Sequence, residues 1–215
     1  MNPTFRPQKL YRLTLLMCLG ASLLLGGCTS QTITPITNWD DHQQQLAALQ
    51  HWRLEGKIGY RIRADGNNHS GSAYFDWQQQ PRDYSIHLFG LLGQGSTLIK
   101  QRGRKVTLEQ QGQPTLSART PEALMQESLG WWLPVNDLTY WVRGIPAPDS
   151  LVQSQQRSSD GTLQQLQQAG WQLTYSSYQQ IGQWQLPAKI IAEREHIRLI
   201  LVLNEWELKD ATQQR

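Results

Sequence analysis

From Trp52 to Ile62 every second residue is apolar or small (Trp52, Leu54, Gly56, Ile58, Tyr60, Ile62), and Arg53, Glu55, Lys57 and Arg61 stand between them, with Arg63 just beyond. A period of two marks a β-strand with one buried face and one wet face. The pattern returns at Ala73, Phe75 and Trp77 after the turn signal Asp65-Gly66-Asn67-Asn68, and at Tyr84, Ile86 and Leu88 after Pro81-Arg82-Asp83. It continues through Leu98, then Val106 and Leu108 beyond Arg102-Gly103-Arg104. Short strands joined by tight turns predict an antiparallel meander. After Pro148, Val152 to Gln156 and the glutamine-rich run ending at Gln168 are weaker candidates, whereas Trp171, Leu173 and Tyr175 alternate strictly. Pro187 opens a strand through Ile191, and Ile197 to Trp206 closes the chain. In that last segment Ile197, Leu199, Leu201 and Leu203 share one face, with Ile200, Val202 and Trp206 on the other, so both faces are expected to be covered. Ten or eleven strands are too many for a flat open sheet. The expected fold is therefore mainly β, an antiparallel sheet curled into a barrel or half-barrel, and either a cavity or a solid core could fill it.

Helical spacing interrupts the meander in three places. Asn38 is placed to cap a helix carrying Trp39, Gln43, Leu46, Ala47 and Leu49, with Asp40 and Asp41 near its N-terminal dipole. Its polar face is rich in glutamine rather than lysine, which favours packing on a sheet over lying on a membrane. Thr120-Pro121-Glu122 starts a second helix with Leu124, Met125 and Leu129 on one face, ending at Gly130. An apolar elbow, Trp131-Trp132-Leu133-Pro134, leads to a third that Asn136 would cap, through Leu138, Trp141 and Val142 to Gly144 before Pro146. Two helices this short cannot bury so much area on each other. They must pack on the sheet.

Ahead of all this, Leu25-Gly26-Gly27-Cys28 has the form of a lipobox, whose cysteine thiol takes a diacylglycerol and whose freed amine takes a third acyl chain. Arg6, Lys9 and Arg12 supply a positive n-region, and Leu13 to Leu25 an apolar stretch too short to span a bilayer. Residues 1–27 are then a cleaved signal peptide, 28–37 a lipidated tether with Pro35, and 38–215 a single binding domain. Three of the twenty basic residues lie in the leader, leaving the mature chain balanced against its 17 acidic residues, so charge gives no argument for nucleic acid. With Cys18 removed and Cys28 acylated, no disulfide is expected. Thr29 in place of an aspartate points to the outer membrane.

Chemistry-bearing motifs are scarce. His42, His51, His69, His87 and His196 form no ligand set, so neither metal nor cofactor is expected. Gly93-Gln94-Gly95-Ser96-Thr97 lacks the order of a nucleophile elbow and the lysine of a phosphate loop. The acidic pairs Asp40/Asp41 and Glu193/Glu195 fit solvated faces, and no catalytic residue or enzyme activity is assigned. One loop is unusual: Phe89-Gly90-Leu91-Leu92-Gly93 places leucines where a hairpin tip is normally polar. They either plug the barrel end or project as an apolar finger, each leucine gaining about 1.5–3 kcal/mol on burial. Nine tryptophans and many glutamines also allow a lipid-anchored carbohydrate-binding module, provided that the tryptophans form an exposed platform.

Taken together, His42-Gln43-Gln44-Gln45 through Trp52, Phe75-Asp76-Trp77-Gln78-Gln79, Leu91-Leu92-Gly93, Leu129-Gly130 through Pro134, Trp141 to Gly144-Ile145-Pro146, and Asn204-Glu205-Trp206 resemble the LolB family of outer-membrane lipoprotein receptors. The resemblance covers nearly the whole mature chain. It implies an unclosed antiparallel barrel with a helical lid over an apolar cavity, accepting triacylated lipoproteins from the periplasmic carrier LolA and releasing them into outer-membrane lipid. It also implies that Leu92, with Leu91 beside it, is the membrane-insertion element. A monomer facing the periplasm is expected. Combined with strand parity, it puts Trp52, Ile58 and Tyr60, Phe75 and Trp77, Ile86 and Leu88, Trp171 and Leu173, and Leu199 and Leu201 around the acyl chains. Leu129, Trp132 and Trp141 would form the lid. A register slip of one residue would invert any of these strands.

Overall fold

The computed structural model describes residues 38–64, 67–90, 95–129 and 132–209. Cys28, the tether, Leu91 and Leu92 lie outside the described residues, as does the side chain of Leu129. Helix α1 (Trp39–Ala48) begins at Asn38, whose Oδ1 accepts from the amides of Asp40 and Asp41 at 3.1 and 3.3 Å. The chain then runs as a meander through β1 (Trp52–Ala64), β2 (Asn67–Gln79), β3 (Tyr84–Phe89), β4 (Thr97–Arg102), β5 (Lys105–Gln110) and β6 (Leu116–Ala118). Two helices follow, α2 (Pro121–Leu129) and α3 (Val135–Trp141). A second meander comprises β7 (Val152–Arg157), β8 (Leu163–Gln168), β9 (Trp171–Ile181), β10 (Trp184–Arg194) and β11 (Ile197–Leu208).

These strands make one 11-stranded antiparallel sheet in the order β6-β5-β4-β3-β2-β1-β11-β10-β9-β8-β7. The first strand pairs with the last, joining the two meanders, while β6 and β7 remain as edges, so the barrel is not closed. On the outer face Arg53 donates from Nε and Nη2 to the Asp76 carboxylate, both at 2.9 Å, and from Nη1 to Glu207 at 2.9 Å, tying β1 to both neighbours.

Five expectations are corrected. Ile99, not Leu98, faces inward on β4: it pairs with Ile86 and Leu108 and is buried, whereas Leu98 pairs with His87 and Glu109. Trp206 joins the inner face because a bulge skips Asn204, Glu55 pairing with Glu205 and Gly56 with Leu203, and the extra residue flips the parity. That leaves Ile200 and Val202 half-buried on the outer face beside Gly59 and Lys57 rather than covered by a second layer. Pro187 does not open β10 but sits inside it, where the register shifts, as a residue without an N–H must. Asn136 lies within α3. The N-cap position belongs to Pro134, which offers no side-chain hydrogen bond.

Candidate functional site

The concave face of the sheet is unevenly filled. Over β8, β9 and β10 the chain following α3 packs against it. Trp141 Nε1 donates to Gln168 Oε1 at 2.8 Å, the amide of Ala147 donates to the same oxygen at 2.9 Å, and Gln168 Nε2 donates to the carbonyls of Ala147 and Ser150, both at 2.7 Å. Gln168 is wholly buried and every polar atom of its amide is used. Gly144, at φ 77°, brings the backbone so close to Pro187 and Tyr178 that a Cβ there would lie 3.2–3.3 Å from their side chains. Arg143 is buried as well. Its Nη1 donates to the carbonyls of Leu46 and Leu49 at 2.7 and 2.8 Å and its Nε to that of Thr139 at 2.9 Å, so it terminates α1 and braces it to α3. Burial lowers its pKa to about 10, with no carboxylate to oppose the shift.

Over β1 to β5 a cavity of about 260 Å³ remains. Its floor is formed by Ile58 and Tyr60, Ala73, Phe75 and Trp77, Ile86 and Leu88, Thr97 and Ile99, Leu108, and Leu201 of β11. Met125 of α2, and Leu133, Val135 and Leu138 at and within α3, form its roof. Among the described residues no charged side chain lines it. Two glycines shape the floor: the ring of Phe75 occupies the space a Cβ on Gly56 would need, and the ring of Tyr60 does the same over Gly71. The helices meet where the Glu122 carboxyl approaches the amide of Val135, the first residue of α3. Burial nonetheless raises the Glu122 pKa, against the hydrogen bonds that pull it down, and burial raises Asp137 on α3 likewise.

Of the residues picked out in the sequence, Ile58, Tyr60, Phe75, Trp77, Ile86, Leu88 and Leu201 surround this cavity. Trp52, Trp171, Leu173 and Leu199 do not; they are buried in the packed core, Trp52 between Trp77 and Trp206 with ring centroids 5.2 and 5.3 Å apart. Strand parity identified their inward face correctly and could not tell that α3 and its trailing loop fill that side. Neither Trp132 nor Trp141 lines the roof: Arg194 stacks over the Trp132 ring at 4.4 Å, and Trp141 is bonded to Gln168. Met125, Leu133 and Leu138 were legible as apolar helix or elbow residues, yet nothing in their spacing said that they face a void. Ile99 was hidden by the adjacent Leu98.

A family model described as "Outer membrane lipoprotein LolB" matches residues 50–206. An outer-membrane lipoprotein LolB from Cellvibrio japonicus is 43% identical over 204 residues, covering 93% of this chain and 98% of that protein. Its counterpart from Pseudomonas aeruginosa is 38% identical over 204 residues, covering 91% and 97%. Among solved structures, a domain from Vibrio parahaemolyticus described as an outer membrane lipoprotein-sorting protein aligns with a TM-score of 0.50 at 6% identity, covering 82% of this chain and 96% of that one, a likeness of fold. With that match across most of its length, and with relatives sharing about two residues in five end to end, the chain belongs to the LolB family of outer-membrane lipoproteins.

Proposed function

We propose that this protein receives triacylated lipoproteins from the periplasmic carrier LolA into the cavity between sheet and helices and inserts them into the outer membrane, as a monomer and without a catalytic step. The observation that carries the reading is the cavity, whose lining is mostly aliphatic and aromatic, holds no charged group among the described residues and is roofed by two helices. Three acyl chains contain forty-odd methylenes, and at about 0.8 kcal/mol each their exposure to water would cost over 30 kcal/mol. Free diffusion is therefore excluded, and the chains must pass directly between two shielding proteins. Tighter binding by the receptor suffices to drive the transfer, about tenfold for each 1.4 kcal/mol.

Family membership makes the chain a lipid-anchored outer-membrane lipoprotein in lipoprotein sorting. In this reading residues 1–27 are the cleaved leader, Cys28 carries the anchor, 28–37 are the tether and 38–215 the receptor domain, with Leu91 and Leu92 entering the bilayer. A carbohydrate-binding platform is not favoured. Trp52, Trp77, Trp141, Trp171 and Trp206 are buried and Trp39, Trp132 and Trp184 half-buried, so no described tryptophan is exposed.

The test mixes the purified receptor with a carrier–lipoprotein complex and follows the lipoprotein by co-purification. Transfer to the receptor without nucleotide is expected, also when Cys28 is replaced so that the anchor is missing. Lipoprotein that stays with the carrier would overturn the reading.

A further inference from the structure

The apolar cavity has a polar neighbour. Gly95 and Thr97 line the cavity and also wall a second depression of about 530 Å³, bounded by the end of the β4–β5 hairpin and the last turn of α2. Gln110, Gln111, Gln113 and Ser128 are among the residues that line it. The two compartments thus meet at β4's first residues. At that junction Gly95 adopts φ 68° and a Cβ built on it meets nothing within 4 Å.

The hydrogen-bonding capacity of this groove is underused. Ser128 Oγ is buried and has no partner among the described residues, and Gln110 Nε2 reaches Thr97 Oγ1 only at 3.5 Å. Each carboxamide both donates and accepts. Among the described residues no lysine, arginine or carboxylate lines the groove. Such a surface suits a neutral ligand rich in carbonyls and amides and offers nothing to a phosphate, which is recognised by cations or by backbone amides at helix N-termini.

We infer that the groove is the subsite for the polar junction of an acylated lipoprotein: the ester and amide carbonyls next to its modified cysteine and the first peptide bonds that follow. The inference rests on the receptor reading above. A molecule whose tails fill the apolar cavity must place that junction at the cavity's mouth, and leaving its carbonyls unpaired there would be costly. Glutamine carboxamides satisfy peptide groups without reading side chains, as a receptor for many different lipoproteins requires. A phospholipid would bring its phosphodiester to the same position and find no cation, so the groove also selects against bulk membrane lipid.

The mature lipidated protein, held in nanodiscs of a zwitterionic phospholipid, is loaded with an environment-sensitive fatty acyl dye. Displacement is measured with two competitors, a plain fatty acid and a triacylated cysteinyl pentapeptide. In Gln110→Leu/Gln113→Leu the lipopeptide curve is expected to move about tenfold to higher concentration while the fatty acid curve stays, which also reports an intact cavity. Ser128→Ala, a smaller change, is expected to move the lipopeptide curve about two- to threefold the same way. A lipopeptide curve unmoved in both variants, or one that moves together with the fatty acid curve, would overturn the subsite. Wild-type protein that takes up no dye would instead overturn the receptor reading, and the subsite with it.

Discussion

Gln168 shows how much one side chain can determine. Its carboxamide satisfies Trp141, both polar groups of Ala147 and the carbonyl of Ser150, in a place from which water is excluded. Each of those groups left buried and unpaired costs about 1–3 kcal/mol. Gln168→Leu is therefore expected to destabilise the protein by at least about 3 kcal/mol, read as a lower urea midpoint, whereas Trp141→Phe, which removes one donor, costs about 1 kcal/mol beyond its packing change. Within a run of glutamines nothing distinguished Gln168 from Gln167 or Gln165. Its role is created by residues some twenty positions away. Arg143 was equally silent in the sequence, because the carbonyls it serves on α1 lie almost a hundred residues earlier.

At the scale of elements, the two roof helices differ in how they are held. The C-terminal end of α3 is bonded to β8 through Trp141, while α2 rests on the sheet through the buried Leu124 and Met125. Where they meet, the Glu122 and Asp137 carboxyls have pKa values raised by burial. A carboxyl with a higher pKa in the folded than in the unfolded state binds more protons when folded between the two values. Its contribution to stability therefore rises as the pH falls through that interval. His42, whose burial lowers its pKa, opposes this as its ordinary range is crossed. The diagnostic is consequently a difference: as the pH falls from about 7 to the ordinary glutamate value of 4.5, Glu122→Gln is expected to gain less stability than wild type in urea titrations. Equal changes in both proteins would mean that Glu122 is not strained at neutral pH.

For the whole molecule, the proposed cycle begins with entry of acyl chains into the cavity that β1–β5 share with α2 and α3. Delivery is a separate step in this reading and depends on the loop after β3. Leu92→Glu is expected to take cargo from the carrier at the wild-type level and to fail in passing it to liposomes, measured by flotation. Normal delivery by that variant would remove the loop from the mechanism.

The mainly β class, the antiparallel meanders, the positions of the three helices and the inward parity of most strands were legible in the sequence, because period, turn chemistry and caps are local. Tertiary structure decided the rest. It set the inward residue of β4, the bulge that turns Trp206 inward, and the division of one apolar face into a cavity over β1–β5 and a packed core over β8–β10. The physical reason is that alternation tells which side of a strand avoids water, whereas the residues that cover that side come from distant parts of the chain.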